Sequence, residues 1–244
     1  MYGFLRGVMR VVTRTYLVGG LFHVRGQENV PRSGPLLVCP NHASTIDPPM
    51  VPAFLPRDDT WSMAKAEYFD KGFTRWLFSN YHAFPVVRHS ADRKALKRAR
   101  DVLDQGQALI VYPEGTRVKV GGLKEAEPGA GFLAQLTQAP VLPVALIGTR
   151  DCFPPGATIP RRTRVEVIFG RVFRLPHHRA DGSRIVRQDA ADAIMLAIAE
   201  MLPREQRGVF SDVEGLRARL GDLYRYEDAA NPPRPVEAGH VPSA

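Results

Sequence analysis

The stretch PLLVCPNHASTIDPP, residues 35–49, passes from a short apolar run into a polar loop and then into a helix start. Pro35–Cys39 has the length and apolar content of a buried strand. Asp47-Pro48 is a helix opening, with a carboxylate at the cap and proline at the first helical position, where its missing N–H costs nothing. A helix over about Pro48–Leu55 is therefore expected. The alternation continues outward from this unit. Further strands are expected at Leu21–Val24, Thr60–Met63, Ala83–Val87, Gln107–Tyr112, Val141–Ile147 and Arg164–Phe169. Helices are expected at about Tyr68–Ser79, Ala91–Gln105, Gly129–Thr137, Asp189–Leu202 and Ser211–Tyr226. The helix over Ala91–Gln105 is the clearest. Ala95, Leu96, Ala99, Val102 and Leu103 share one face, five basic residues lie opposite, and Gly106 ends it. Strands alternating with helices imply a single α/β domain, its largely parallel central sheet flanked by helices.

Size and charge fit that picture. A chain of 244 residues with 44% hydrophobic content buries one substantial core. The formal net charge of +8 favours anionic partners: anionic lipid, phosphorylated small molecules or nucleic acid. Two cysteines, Cys39 and Cys152, are too few for a disulfide framework and lack metal-ligand spacing, which suits a reducing interior. No stretch approaches the roughly 20 apolar residues needed to span a bilayer. Arg6, Arg10 and Arg14 interrupt the region where the apolar part of a signal peptide would sit.

Residues 1–17 read as a helix. Phe4, Leu5, Val8, Met9, Val11, Val12 and Tyr16 fall on one broad face, and Arg6, Arg10 and Arg14 recur on the other. Two readings are open: a helix lying in the headgroup layer of a membrane, or one packed on the domain with its arginines in water. Residues 1–20 are thus set apart as an amphipathic, membrane-associating helix and 21–228 as the domain. Residues 229–244, rich in proline and small residues, are expected to be disordered.

Functional residues of α/β sheets gather past the carboxyl ends of strands. Four segments fall there. In Asn41-His42-Ala43-Ser44-Thr45-Ile46-Asp47, a turn would let the carboxylate meet one imidazole nitrogen and leave the other free to take a proton. The same Asp47 is also a plain helix cap. Glu114-Gly115-Thr116-Arg117 follows the Gln107–Tyr112 strand: glycine permits a tight turn, threonine offers a hydroxyl, and arginine a fork suited to phosphate oxygens. A surface turn with an ordinary ion pair is the alternative. Lys65 and Arg88 each follow a strand, where a cation would hold an anionic substrate. Pro140 to Val144 would form either an acyl-pocket wall or a buried strand entered through proline.

In this order the segments resemble the glycerolipid acyltransferase family that includes the 1-acyl-glycerol-3-phosphate O-acyltransferases. Asn41, His42 and Asp47 match its first block. Lys65, Glu67 and Arg88 match the second in part, Glu114 to Arg117 match the third, and Val141 to Val144 match the fourth loosely. The similarity runs from about Gly26 to Arg150. Two departures stand out. A glycine usual before the second-block arginine is replaced around His82-Ala83, and a basic residue usual after the third block is Glu127.

The resemblance implies an α/β acyltransferase with no metal and no cofactor, and acyl-CoA or acyl-carrier protein as acyl donor. His42 would be the general base and Asp47 its partner. Lys65, Arg88, Glu114, Gly115, Thr116 and Arg117 would bind or organise the phosphate of a lysophospholipid acceptor. An anionic membrane surface is the expected partner, with the protein peripheral on its cytoplasmic face. The rival readings are a non-catalytic binder of anionic lipid and a nucleic-acid binder. The latter lacks a recognition motif or aromatic residues among its basic segments. Cys39 precedes the first block, but its place at a strand end points to burial rather than to nucleophilic attack.

Overall fold

A computed structural model of the chain describes residues 1–17, 20–87, 92–118 and 121–226. The expected C-terminal tail, 229–244, lies outside the described residues. The chain begins with helix α1 (Tyr2–Tyr16) and strand β1 (Phe22–Arg25), followed by β2 (Leu36–Pro40), α2 (Asp47–Phe54) and β3 (Thr60–Lys65). Next come α3 (Gly72–Asn80), β4 (Ala83–Val86), α4 (Arg93–Asp104), β5 (Ala108–Ile110) and α5 (Pro128–Thr137). The rest is β6 (Val141–Ile147), α6 (Thr149–Cys152), β7 (Val165–Phe169), β8 (Phe173–Arg174), α7 (Arg187–Ala199), α8 (Val213–Leu220) and β9 (Arg225–Tyr226).

The sheet runs β1-β7-β6-β2-β5-β3-β4. The five strands from β6 to β4 are mutually parallel, whereas β7 is antiparallel to β6 and carries β1 parallel to itself. The strand β2 sits between β5 and β6 and is buried along its whole length. Such burial demands a continuous apolar run rather than an alternating one. One face of the sheet packs on α4, α5 and α7 through residues such as Leu103, Leu133 and Ile194. The other packs on α2 and the end of α1 through Phe54, Val51 and Leu17.

Pro143 stands in the central strand β6 without disrupting it. Its carbonyl accepts from Gly170 N at 2.8 Å, so its missing donor faces the same side. There the partner of β6 changes from β8, at Val141, to β7, at Val144. Val141, Leu142 and Val144 are all buried, as expected of a buried strand entered through proline.

The N-terminal helix forms where expected, but with its basic stripe turned the other way. Arg6 is only 2% exposed and donates to Pro52 O at 2.6 Å, to Leu55 O at 2.5 Å and to Asp58. Arg10 donates to Ala53 O, Gln27 donates to Phe54 O at 2.6 Å, and the Arg14 guanidinium lies over the Phe54 ring. The four carbonyls at the end of α2 have no partner within their own helix and carry partial negative charge, which is why guanidinium groups settle there. Arg6 thus lies in protein rather than in headgroups or water, Arg10 is half-buried, and Arg14 stays exposed. The apolar row is what remains outside, with Phe4 69% exposed and Val8, Val11 and Val12 also exposed.

Candidate active site

The loop between β2 and α2 is held from three sides. Asn41 continues the sheet with its side chain after β2 has ended: its Oδ1 accepts from Leu146 N at 2.7 Å and its Nδ2 donates to Leu146 O at 3.1 Å. Next, the His42 backbone N–H donates to Glu114 Oε1 at 2.7 Å, and its carbonyl accepts from Val118 N at 2.9 Å. Finally, Ser44 Oγ donates to Phe153 O at 3.0 Å.

Within this frame the His42 ring meets Asp47, Nδ1 to Oδ2, at 2.9 Å. Asp47 is completely buried, and its Oδ2 also accepts from Ala43 N at 2.8 Å and Ser44 N at 2.6 Å. The structure separates the two readings of this residue. Asp47 is the first residue of α2 rather than its cap, and its carboxylate reaches back to the loop instead of forward to the helix amides. With Nδ1–H given to Asp47, the tautomer leaves Nε2 as the acceptor. The ring also packs on Tyr112, centroid to centroid 4.2 Å, which fixes its plane. The Tyr112 hydroxyl is buried and pushed well above its ordinary range, first by burial and then by the Asp47 charge.

Glu114 is also fully buried. Its two oxygens accept from His42 N and, at 3.4 Å, from Lys124 N, so the carboxylate organises two loops rather than pointing at solvent. Gly115 beside it has φ of 67°, and a Cβ there would lie 2.8 Å from Glu127 Cγ. Only glycine fits that turn without strain. The non-basic Glu127 packs where such a side chain would go. Thr116 Oγ1 donates to Arg117 O at 3.2 Å. Arg117 is exposed and makes no side-chain hydrogen bond or ion pair among the described residues. Lys65 pairs with Glu67 at 2.7 Å, two strands away from β2 in the sheet. Arg88 lies outside the described residues. The sequence departure before it is accommodated by His82, which adopts the left-handed conformation that glycine would take, φ 54°, stabilised by stacking on Tyr2 at 4.0 Å and Trp61 at 4.9 Å.

Beside His42 lies a cavity of about 140 Å³ whose lining includes Asn41, His42 and Glu114 and, from a second stretch of the sequence, Gly148, Arg150 and Asp151. Sequence reasoning missed this second stretch and missed Tyr112. Both had a signal, since Gly148-Thr149-Arg150 follows a long apolar strand and Tyr112 precedes the Glu114 turn. Burial pushes the Cys39 thiol far up, so it supplies no nucleophile beside this site. No group of three or more metal-ligating side chains occurs among the described residues.

Burial also pushes the Glu114 carboxyl up to about 7, opposed by the His42 and Lys124 amides. Between the ordinary value of 4.5 and about 7, the folded chain holds a proton that the unfolded chain has released. That contribution to stability is therefore complete below the lower value and is lost as pH rises through the upper one. Glu114→Gln keeps an oxygen for the His42 amide and removes the titration. It is expected to gain on the wild type as pH rises through this window, by at most about 1.4 kcal/mol per pH unit. Urea denaturation of both proteins across the window measures this, and parallel profiles would refute it.

A buried carboxylate holding an imidazole, with Nε2 left as acceptor, is an arrangement for taking a proton from a hydroxyl. Comparison with known proteins gives the family. The family described as acyltransferase matches residues 21–147. A 1-acyl-sn-glycerol-3-phosphate acyltransferase of Bacillus subtilis is 24% identical over 202 residues, covering 83% of this chain and 95% of that one. A chloroplastic 1-acyl-sn-glycerol-3-phosphate acyltransferase of Brassica napus is 30% identical over 138 residues, 55% of this chain and 39% of that longer one. The fold matches the crystal structure of the 1-acyl-sn-glycerophosphate acyltransferase of Thermotoga maritima with a TM-score of 0.64 at 24% identity, over 88% of this chain and 80% of that one. The chain belongs to the acyltransferase family.

Proposed function

We propose that the chain moves a fatty acyl group from the thioester of CoA or acyl-carrier protein onto the free hydroxyl of 1-acyl-glycerol-3-phosphate, giving phosphatidic acid for phospholipid synthesis. The observation that carries this reading is the 2.9 Å contact between His42 and the wholly buried Asp47. His42 Nε2 takes the acceptor hydroxyl proton as that oxygen attacks the thioester carbonyl. A C–O bond forms, the tetrahedral intermediate collapses with cleavage of the C–S bond, and the imidazolium returns the proton to the departing thiolate. Asp47 stabilises the imidazolium in between. Arg117, Arg88 and Lys65 hold the acceptor phosphate, with Gly115 and Thr116 shaping the turn that carries Arg117. The reaction needs neither metal nor cofactor. The acceptor named for the relatives is the best guide to the acceptor here. Purified chain given labelled acyl-CoA and a panel of acceptors is expected to form phosphatidic acid from 1-acyl-glycerol-3-phosphate. Product from glycerol 3-phosphate or another lysolipid alone would refute the acceptor, and no product from any would refute the activity.

The acceptor resides in a membrane, and α1 is the element suited to reach it. No helix among the described residues is long and apolar enough to cross a bilayer. Instead, Phe4, Val8, Val11 and Val12 form an outward apolar row on a helix held down by its own arginines. We propose that this row enters the headgroup layer on the cytoplasmic face. Phe4→Ser with Val11→Ser leaves the arginine contacts intact and is expected to weaken binding to anionic vesicles about 10-fold or more. Sedimentation with vesicles checks this, and unchanged binding would refute it.

A further inference from the structure

The helix α3 is anomalous for a crossover between two strands, because none of its nine residues is buried. Yet its sequence, GFTRWLFSN, is not that of a solvated helix. Phe73 is 73% exposed and Trp76, three residues on and so on the same side, is 46% exposed. Their rings lie 6.1 Å apart. In the turn before the helix, exposed Tyr68 stacks on Phe78 at 4.8 Å, and Phe69 lies 6.0 Å from the same ring. The aromatic rings contact one another instead of the core. Lys71 and Arg75 are exposed at the start of the helix, with Glu67 and Asp70 exposed in the turn before it, and α3 itself carries no acidic residue.

Topology sets this patch beside α1. The connections β2-α2-β3 and β3-α3-β4 step the same way across the sheet, and β4-α4-β5 steps back. Right-handed crossovers therefore place α2 and α3 on one face and α4 on the other, as the core partners of α2 and α4 require. The ends of α1 and α3 also meet. Tyr2 stands edge-on to Tyr81 at 5.9 Å and stacks on His82, the two residues that follow α3. Tyr81 in turn donates to Pro49 O of α2 at 2.9 Å.

We infer that α3 is a second lipid-contacting element, so that the chain rests on the bilayer through two helices, α1 and α3, on one face of the sheet. This rests on the membrane reading of α1 given above and extends it. The occupant is a bilayer surface rather than another protein. Exposed Trp, Tyr and Phe beside Lys and Arg are the side chains that favour the interface between hydrocarbon and headgroups, and α3 lies on the same face of the sheet as α1, its end meeting the start of α1 at Tyr2. Because α3 starts just past the end of β3, this second contact holds the sheet edge bearing the candidate site close to the lipid plane.

The chain has two tryptophans, Trp61 and Trp76, and Trp61 is covered by Arg98 and His82. The test compares wild type with Trp76→Phe on phosphatidylglycerol vesicles whose acyl chains are brominated. The difference between the two emission spectra belongs to Trp76; it is expected to shift to the blue and to be quenched by the bromine. Phe73→Ser with Trp76→Ser, checked for native circular dichroism, is expected to bind these vesicles about 10-fold less tightly. If the wild type binds but the quenching is the same with and without Trp76, the role of α3 is overturned while that of α1 stands. If the wild type does not bind vesicles, both fall. A stable dimer in vesicle-free solution that Phe73→Ser disperses would also overturn it, by showing a second copy as the occupant.

Discussion

Replacement of His42 by alanine is expected to lower acyl transfer by about 10²–10⁴-fold while leaving folding and vesicle binding close to wild type. The separation follows from how the residue is held. Its backbone, not its ring, ties the loop together: the N–H goes to Glu114 and the carbonyl receives Val118 N. Alanine keeps both. Asp47 loses one of the three donors to its Oδ2 but keeps the Ala43 and Ser44 amides, so α2 stays in place. What disappears is the Nε2 acceptor and the group that passes the proton on. Measured kcat/KM with acyl-CoA and a lysolipid acceptor, alongside vesicle sedimentation, tests this. Near-normal turnover would remove His42 from the mechanism. A chain that only binds anionic lipid would lose nothing in either assay.

The sequence carried the outline of this site because two local codes coincide in it. A buried parallel strand needs an unbroken apolar run, and the first turn of α2 is written in Asp47-Pro48. Between them only a few residues remain, so His42 and Asp47 had little room to be far apart. What was not legible was direction. The spacing of Asp47 fits a cap and a partner for histidine equally well, and only the fold shows its carboxylate bent back to the loop. Likewise, periodicity separated the arginines of α1 from its apolar residues but could not say which row faces the protein. The answer depends on the four unpaired carbonyls of α2, a feature of another element about 50 residues away. The short strands β8 and β9, two residues each, are fixed by partners rather than by pattern and leave no periodic trace. The terminal helix expected over Ser211–Tyr226 accordingly ends early, at Leu220, and gives way to β9.

The largest expected effect on stability belongs to Arg6. Helix α2 is eight residues long and carries Pro48, Pro49 and Pro52, so it has few hydrogen bonds of its own, and so short a helix does not persist without tertiary support. Arg6 supplies that support with bonds to Pro52 O and Leu55 O, both buried. Arg6→Met keeps the length and apolar stem of the side chain and removes every donor. Two buried carbonyls then lack partners, at about 1–3 kcal/mol each. The loss is expected both in the urea midpoint of the full chain and as faster hydrogen exchange over residues 2–16 and through α2. Asp58 is the control. It pairs with the same buried guanidinium but is itself exposed, and Asp58→Asn keeps an acceptor oxygen while removing the counter-charge, so it is expected to cost less than Arg6→Met. Because Asp47 begins the helix that Arg6 holds at its far end, acyl transfer by Arg6→Met is also expected to fall, and to recover in part at lower temperature as α2 regains order. A wild-type midpoint and wild-type exchange for Arg6→Met would mean that α2 stands without the clamp. Helices α1 and α2 would then be neighbours without being coupled.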